Sequence, residues 1–117
     1  MAARPIWVRR MSEAELLAAI RDALVTSGRV MIWRNNSGML RAEHGRVVRF
    51  GLGLGSADLI GLVRGTGRFF ALEVKSPRGT ASPEQRAWIA AVEAAGGFAR
   101  VVRSVDEAMA ALDEASA

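Results

Sequence analysis

Apolar positions along the chain follow two periods, one near 3.6 residues and one of two. Over residues 12–27, Leu16, Leu17, Ile20 and Leu24 recur at helical spacing. Ser12 is a suitable N-cap, Glu15 stands where it closes a capping box, and Gly28 supplies the stop. A second helix is predicted from Ser82, with Pro83 in the first turn, Gln85 closing another capping box, and Trp88, Ile89 and Val92 facing inward until Gly96-Gly97. Ser104 and Glu107 open a third helix that runs through Leu112. Between the helices, short apolar runs read as strands at residues 29–34, 39–42, 46–50, 68–75 and 98–103, with one more opening at Asp58. The order αβββ(β)αβα predicts an α/β fold with a mixed sheet flanked by helices. At 117 residues the chain is expected to be one domain, 1–117. Residues 1–11 read as an N-terminal arm, where Arg4, Arg9 and Arg10 are phosphate contacts or part of a frayed end.

The chemistry concentrates in one predicted hairpin. Residues 55–61, Gly-Ser-Ala-Asp-Leu-Ile-Gly, and residues 68–75, Arg-Phe-Phe-Ala-Leu-Glu-Val-Lys, flank a Gly65-Thr66-Gly67 turn. Side chains alternate across a strand, so Glu73 and Lys75 share one face while Phe70, Leu72 and Val74 take the other. With Asp58 at the start of the neighbouring strand, two carboxylates and a lysine converge at one end of the sheet. That set offers hard oxygen ligands to a divalent metal and a cation to phosphate. Glu-x-Lys alone reads better as a solvated strand face carrying opposite charges. The context favours the site, because both acids interrupt apolar sequence, where a carboxylate is costly unless paired or metal-bound. Glu13 falls on the side of Leu16, Leu17 and Ile20, which makes it a candidate third acid facing inward, or else a solvated first-turn glutamate.

Other polar residues fit a nucleic-acid surface. Asn35-Asn36-Ser37-Gly38 is a turn, or a set of donors to a phosphate backbone. Arg34, Arg41, Arg46 and Arg49 are interleaved with apolar residues, as on a basic sheet face. His44 reads as an exposed turn residue and not a catalyst. The run Gly51-Leu52-Gly53-Leu54-Gly55 lacks the Lys-Ser/Thr ending of a phosphate loop, and no helix follows it, so it reads as a flexible approach to the site. Gln85 lies on the Trp88/Ile89 side of its helix, within reach of the site.

Composition narrows the choices. Half the residues are hydrophobic, as in a globular protein, and no apolar run is long enough to span a membrane. The first residues lack a signal-peptide apolar segment, so a cytoplasmic setting is expected. The absence of cysteine excludes disulfides and thiolate zinc sites. The net charge of +4, carried almost wholly by arginine, fits an anionic partner or a GC-rich genome.

Residues 55–61, the Gly-Arg-Phe-Phe-Ala-Leu-Glu-Val-Lys-Ser-Pro run at 67–77, Ser-Pro-Glu-Gln-Arg-x-Trp at 82–88, and Ala-Gly-Gly-Phe-Ala-Arg-Val-Val-Arg-Ser-Val at 95–105 together resemble the virus-type replication–repair nuclease domain of the PD-(D/E)XK superfamily. Trp-Arg-Asn-Asn-Ser-Gly at 33–38 also matches, and the likeness runs from about Ser12 to Leu112. It implies a restriction-endonuclease-like core and a DNA endonuclease that uses Mg²⁺ or Mn²⁺. By this resemblance Asp58 and Glu73 are metal-binding carboxylates, the Val74 carbonyl completes the metal shell, Lys75 is the active-site lysine, and Glu13 is the helical acid. The expected DNA contacts are Arg34, Asn35, Asn36, Ser37, Arg49, Ser56, Arg78 and Gln85. Ala57 departs from the proline that names the superfamily motif, and Leu17 stands where many members have glutamine. Small stand-alone members resemble Holliday-junction resolvases, which implies a homodimer acting on branched DNA in a bacterial or phage-infected cell. A nuclease-fold DNA-binding module with weak or lost cleavage is the alternative.

Overall fold

The computed structural model describes residues 10–117; Arg4, Trp7 and Arg9 of the expected N-terminal arm lie outside the described residues. Its elements are α1 (Glu13–Ser27), β1 (Val30–Arg34), β2 (Gly38–Arg41), a 3-10 turn (Glu43–Gly45), β3 (Val47–Phe50), β4 (Leu59–Val63), β5 (Phe69–Val74), α2 (Pro83–Ala94), β6 (Phe98–Val102) and α3 (Val105–Ala115). The architecture is mixed α/β, compatible with a restriction-endonuclease-like core. The runs at 39–42 and 46–50 each form a strand as expected, so five strands precede α2, one more than the order αβββ(β)αβα counts.

Four strands form the main sheet in the order β1-β4-β5-β6. The β1/β4 and β4/β5 pairs are antiparallel and β5/β6 is parallel. A parallel neighbour needs a long crossover, and α2 supplies it. β2 and β3 form a separate two-stranded sheet, with Gly38 opposite Phe50 and Arg41 opposite Val47.

The predicted caps form. The Ser12 hydroxyl accepts from the Glu15 amide at 3.1 Å while Glu15 Oε1 accepts from the Ser12 amide at 3.1 Å. Gly28 ends α1 in the left-handed conformation. Ser82 and Gln85 make the same reciprocal pair at α2. α3 continues to Ala115, beyond Leu112, because Ala111, Leu112 and Ala115 all bury against the sheet and α1.

β5 sits between β4 and β6, and both its faces are covered. Phe70, Leu72 and Val74 point to the α1/α3 side, where they pack with Leu16, Ile20, Leu24, Phe98, Val102 and Leu112. Ala71 points the other way and, with Ala57 and Ala99, makes a seat of small side chains under Trp88, Ile89 and Val92 of α2. Glu73 lies on that same face, two residues on, towards the start of α2. The core on one side therefore holds the strand, while the small seat on the other draws a helix N-terminus close to the acid. No helix among the described residues is long and apolar enough to cross a membrane.

Candidate active site

The site forms where β4 and β5 part. Their paired register ends at Leu59 and Leu72. Beyond it Asp58 takes over from the backbone ladder: Oδ2 accepts from the Val74 amide at 2.9 Å, and the Asp58 carbonyl accepts from the Asn35 amide at 2.7 Å. The Lys75 amide turns to β6 and donates to the Val102 carbonyl at 3.0 Å. Backbone groups alternate direction along a strand, so the Val74 carbonyl shares the Asp58 side of β5 with its own amide.

Glu73 is buried, 3% exposed. Its Oε1 accepts from Gln85 Nε2 at 2.7 Å and lies 3.5 Å from Lys75 Nζ. Its Oε2 is buried without a hydrogen-bond partner. An unpaired carboxylate oxygen away from water is expensive to keep charged. Burial first, and then the negative charge of Asp58, push the Glu73 carboxyl up to about 7, with Lys75 pulling the other way. Lys75 is the chain's one lysine among fifteen arginines. Its side chain is only 15% exposed, and its ammonium is a compact point charge rather than a planar fork.

The remaining expected residues divide into three groups. Glu13 does not join the two acids. It is exposed at the start of α1, with Oε2 3.4 Å from the Ser76 amide, because the first helical turn begins beyond the end of the sheet. Among the described residues no three acidic, histidine or cysteine side chains gather as a metal-holding group.

Five residues expected to touch DNA have internal partners. Arg34 Nη1 lies 3.3 Å from Asp58 Oδ1 and 3.2 Å from the Asp58 carbonyl. Asn35 is buried and donates to Ser56 Oγ and to the Ala57 carbonyl, both at 2.8 Å. Ser56 Oγ, also buried, reaches the Gly53 carbonyl at 2.8 Å and Ser37 Oγ at 3.1 Å. Gln85 is spent on Glu73 and on its own helix cap. The polar turn and the glycine run thus hold each other and set the position of Asp58. Gly55 is part of this seam: it has positive φ, and a Cβ there would run into the Glu84 carbonyl of α2.

Asn36, Arg49 and Arg78 are exposed, and Ser37 is half-buried. Arg49 and Ser37 line a cleft of about 310 Å³ together with Met39, Phe50, Leu54, Asp58, Glu73 and Gln85. Arg78 lies in the loop after Lys75, which Arg103 ties down through the Ser76 and Gly79 carbonyls at 2.7 and 2.6 Å. His44 is exposed in the 3-10 turn with φ 62°, away from the site. Sequence period could not show the Arg34–Asp58 and Gln85–Glu73 contacts, since both join residues far apart in the chain.

Chemically, the fork offers two carboxylates and a strand carbonyl on one side and an ammonium beside them. The orphaned Glu73 Oε2 fits a hard cation, which would give that atom the partner it lacks and stabilise the charged form. Among curated proteins no sequence matches the chain. A family model described as the VRR-NUC domain matches residues 11–106, a span that takes in α1, all six strands and α2, and with them Asp58, Glu73 and Lys75. The chain belongs to the VRR-NUC family of nuclease domains.

Proposed function

We propose that this protein, a single domain over residues 1–117, is an endodeoxyribonuclease of the PD-(D/E)XK type, dependent on Mg²⁺ or Mn²⁺ and selective for branched DNA such as a Holliday junction. The observation that carries the reading is the buried, unpartnered Glu73 Oε2 beside Asp58 and Lys75, in a cleft that opens to an arginine-bearing surface. Asp58, Glu73 and the Val74 carbonyl would hold the dication. Once bound there, it supplies Lewis acidity and a lowered water pKa. Asp58 is held ready for this by the Val74 amide, and Glu73 by Gln85. Lys75 places a positive charge where the attacked phosphate gains negative charge. Glu13, beside the loop that follows Lys75, is assigned an outer role through hydrated contacts.

DNA is held through its backbone, by Arg49, Arg78, Asn36 and Ser37 at the cleft and by Arg41 and Arg46 on the β2–β3 hairpin, so recognition follows shape more than base sequence. Selectivity for a junction follows from pairing two such sites. Met39, Leu40, Leu52 and Leu54 are exposed apolar residues near the cleft, 50% to 65% accessible, and supply a surface for a two-fold homodimer. We place the protein in the cytoplasm of a bacterial or phage-infected cell.

The test is a substrate panel of one sequence, made as duplex, flap, splayed and four-way DNA, with Mg²⁺ or Mn²⁺ and with chelator. Paired incisions of four-way DNA, faster than any cutting of duplex, are expected. Binding without incision on every substrate would favour the non-cleaving DNA-binding module, and equal cutting of duplex by a monomer would remove junction selectivity while leaving the nuclease.

A further inference from the structure

The side chain of Gln85 does two jobs with its two ends. Its Oε1 accepts from the Ser82 amide at 2.8 Å and closes the capping box of α2. Its Nε2 donates to Glu73 Oε1 at 2.7 Å. The first bond decides the second. An amide whose oxygen is turned to the Ser82 amide presents its nitrogen to the opposite side, which is where the acid lies. The cap alone would accept glutamate at this position as well as glutamine. The contact with Glu73 would not, because glutamate has no donor at neutral pH and would set carboxylate against carboxylate.

The seat of Ala57, Ala71 and Ala99 brings α2 near enough for this bond, and Gly55 lets the loop before β4 pass against the Glu84 carbonyl. Glu73 Oε1 is thereby shared between Gln85 and Lys75, and Oε2 is left as the carboxylate atom without a partner.

We infer that Gln85 is a positioning residue: through the cap of α2 it fixes the rotation of the Glu73 carboxylate and so reserves one oxygen for a divalent cation. The inference rests on the metal-dependent reading of the site. It gives the start of α2 a part in metal affinity, with no contact between Gln85 and DNA.

The test is Mn²⁺ binding in the absence of DNA, followed by loss of the free-ion electron paramagnetic resonance signal, for the wild type, Gln85→Met and Ser82→Ala. Melting of each metal-free protein measures the cap separately. Both variants weaken the cap, but Ser82→Ala keeps the Gln85 side chain and its bond to Glu73. Gln85→Met is expected to weaken Mn²⁺ binding by about 10- to 100-fold, the usual effect of losing a hydrogen bond that orients a ligand. Ser82→Ala is expected to melt earlier and to bind Mn²⁺ as the wild type does. Equal affinity in Gln85→Met and the wild type overturns the inference, as does equal weakening in both variants, which would assign the effect to the helix cap. Absence of Mn²⁺ binding by the wild type would instead reject the metal site itself, and the inference with it.

Discussion

The fork of β4 and β5 and the β2–β3 hairpin lie on either side of one cleft, yet they are built in opposite ways. At the fork, β5 is buried on both faces, and Asp58, Glu73 and Lys75 are each held by a neighbour within the protein. On the hairpin all eight strand residues are exposed. Met39, Leu40, Val47, Val48 and Phe50 are among them, with Arg41, Arg46 and Arg49 interspersed. A two-stranded hairpin with no packed face is marginal on its own. The difference separates two needs. Charged groups that act on a fixed bond are best held on a rigid, dry scaffold. A surface that meets a large partner keeps its apolar and cationic side chains free for that partner.

The largest expected effects lie at the fork. Asp58→Asn and Glu73→Gln should each lower cleavage by about 10²- to 10³-fold or more, the scale of removing one charged group from a preorganised site. DNA binding should persist, because less negative charge then faces the phosphates. Near wild-type cutting by either variant in a strand-cleavage assay would break the assignment.

Stability should divide along the same line. Leu72 is wholly buried in the fork's core while Leu40 on the hairpin is 62% exposed. Leu72→Ala should cost about 2–5 kcal/mol of folding stability, and Leu40→Ala about 0.5 kcal/mol or less. Denaturant unfolding of the two variants measures both. A large loss in Leu40→Ala would mean that the hairpin is buried in the protein as it exists in solution, as in a tight dimer.

A smaller effect comes from pH. The metal-free fold raises the Glu73 carboxyl from 4.5 to about 7. The folded protein then binds more protons than the unfolded chain between those values, so stability falls as pH rises through that window. Melting temperatures of the metal-free wild type should drop from pH 5 to pH 7, and Glu73→Gln should flatten the drop. The same sign makes metal binding tighter above pH 7, where the carboxylate is free of its proton. A metal-free melting curve that rises over this range, with Glu73→Gln unchanged, would show that burial does not govern this acid.

The smallest effects separate the two glutamates of α1. Glu15→Gln should be mild, since glutamine also closes a capping box. Glu13→Gln should lower cleavage more than Glu15→Gln while changing melting little, because Glu13 reaches the loop after Lys75 and not the core. The reverse ranking in a cleavage assay would move the α1 contribution to Glu15.

Much of this was legible in the sequence wherever one local rule sufficed. Ser12/Glu15 and Ser82/Gln85 marked two helix starts, and Gly65-Thr66-Gly67 marked the turn that brings Asp58 and Glu73 side by side. Alternation placed Leu72 and Glu73 on opposite faces. What stayed hidden depended on distant partners. The ion pair of Arg34 with Asp58 and the bond of Asn35 to Ser56 each join residues more than twenty positions apart, which no local pattern marks. The hairpin resisted for another reason. Met39-Leu40 and Val47-Val48 put apolar side chains on both faces, so no buried side could be read from its pattern.

The most direct measurement is a crystal structure of the protein soaked in Mn²⁺, with anomalous scattering used to locate the ion. A peak is expected about 2.0–2.6 Å from an Asp58 oxygen, from Glu73 Oε2 and from the Val74 carbonyl, the range for hard cations on oxygen ligands. A fork without a peak, in crystals that hold the ion elsewhere, would contradict it.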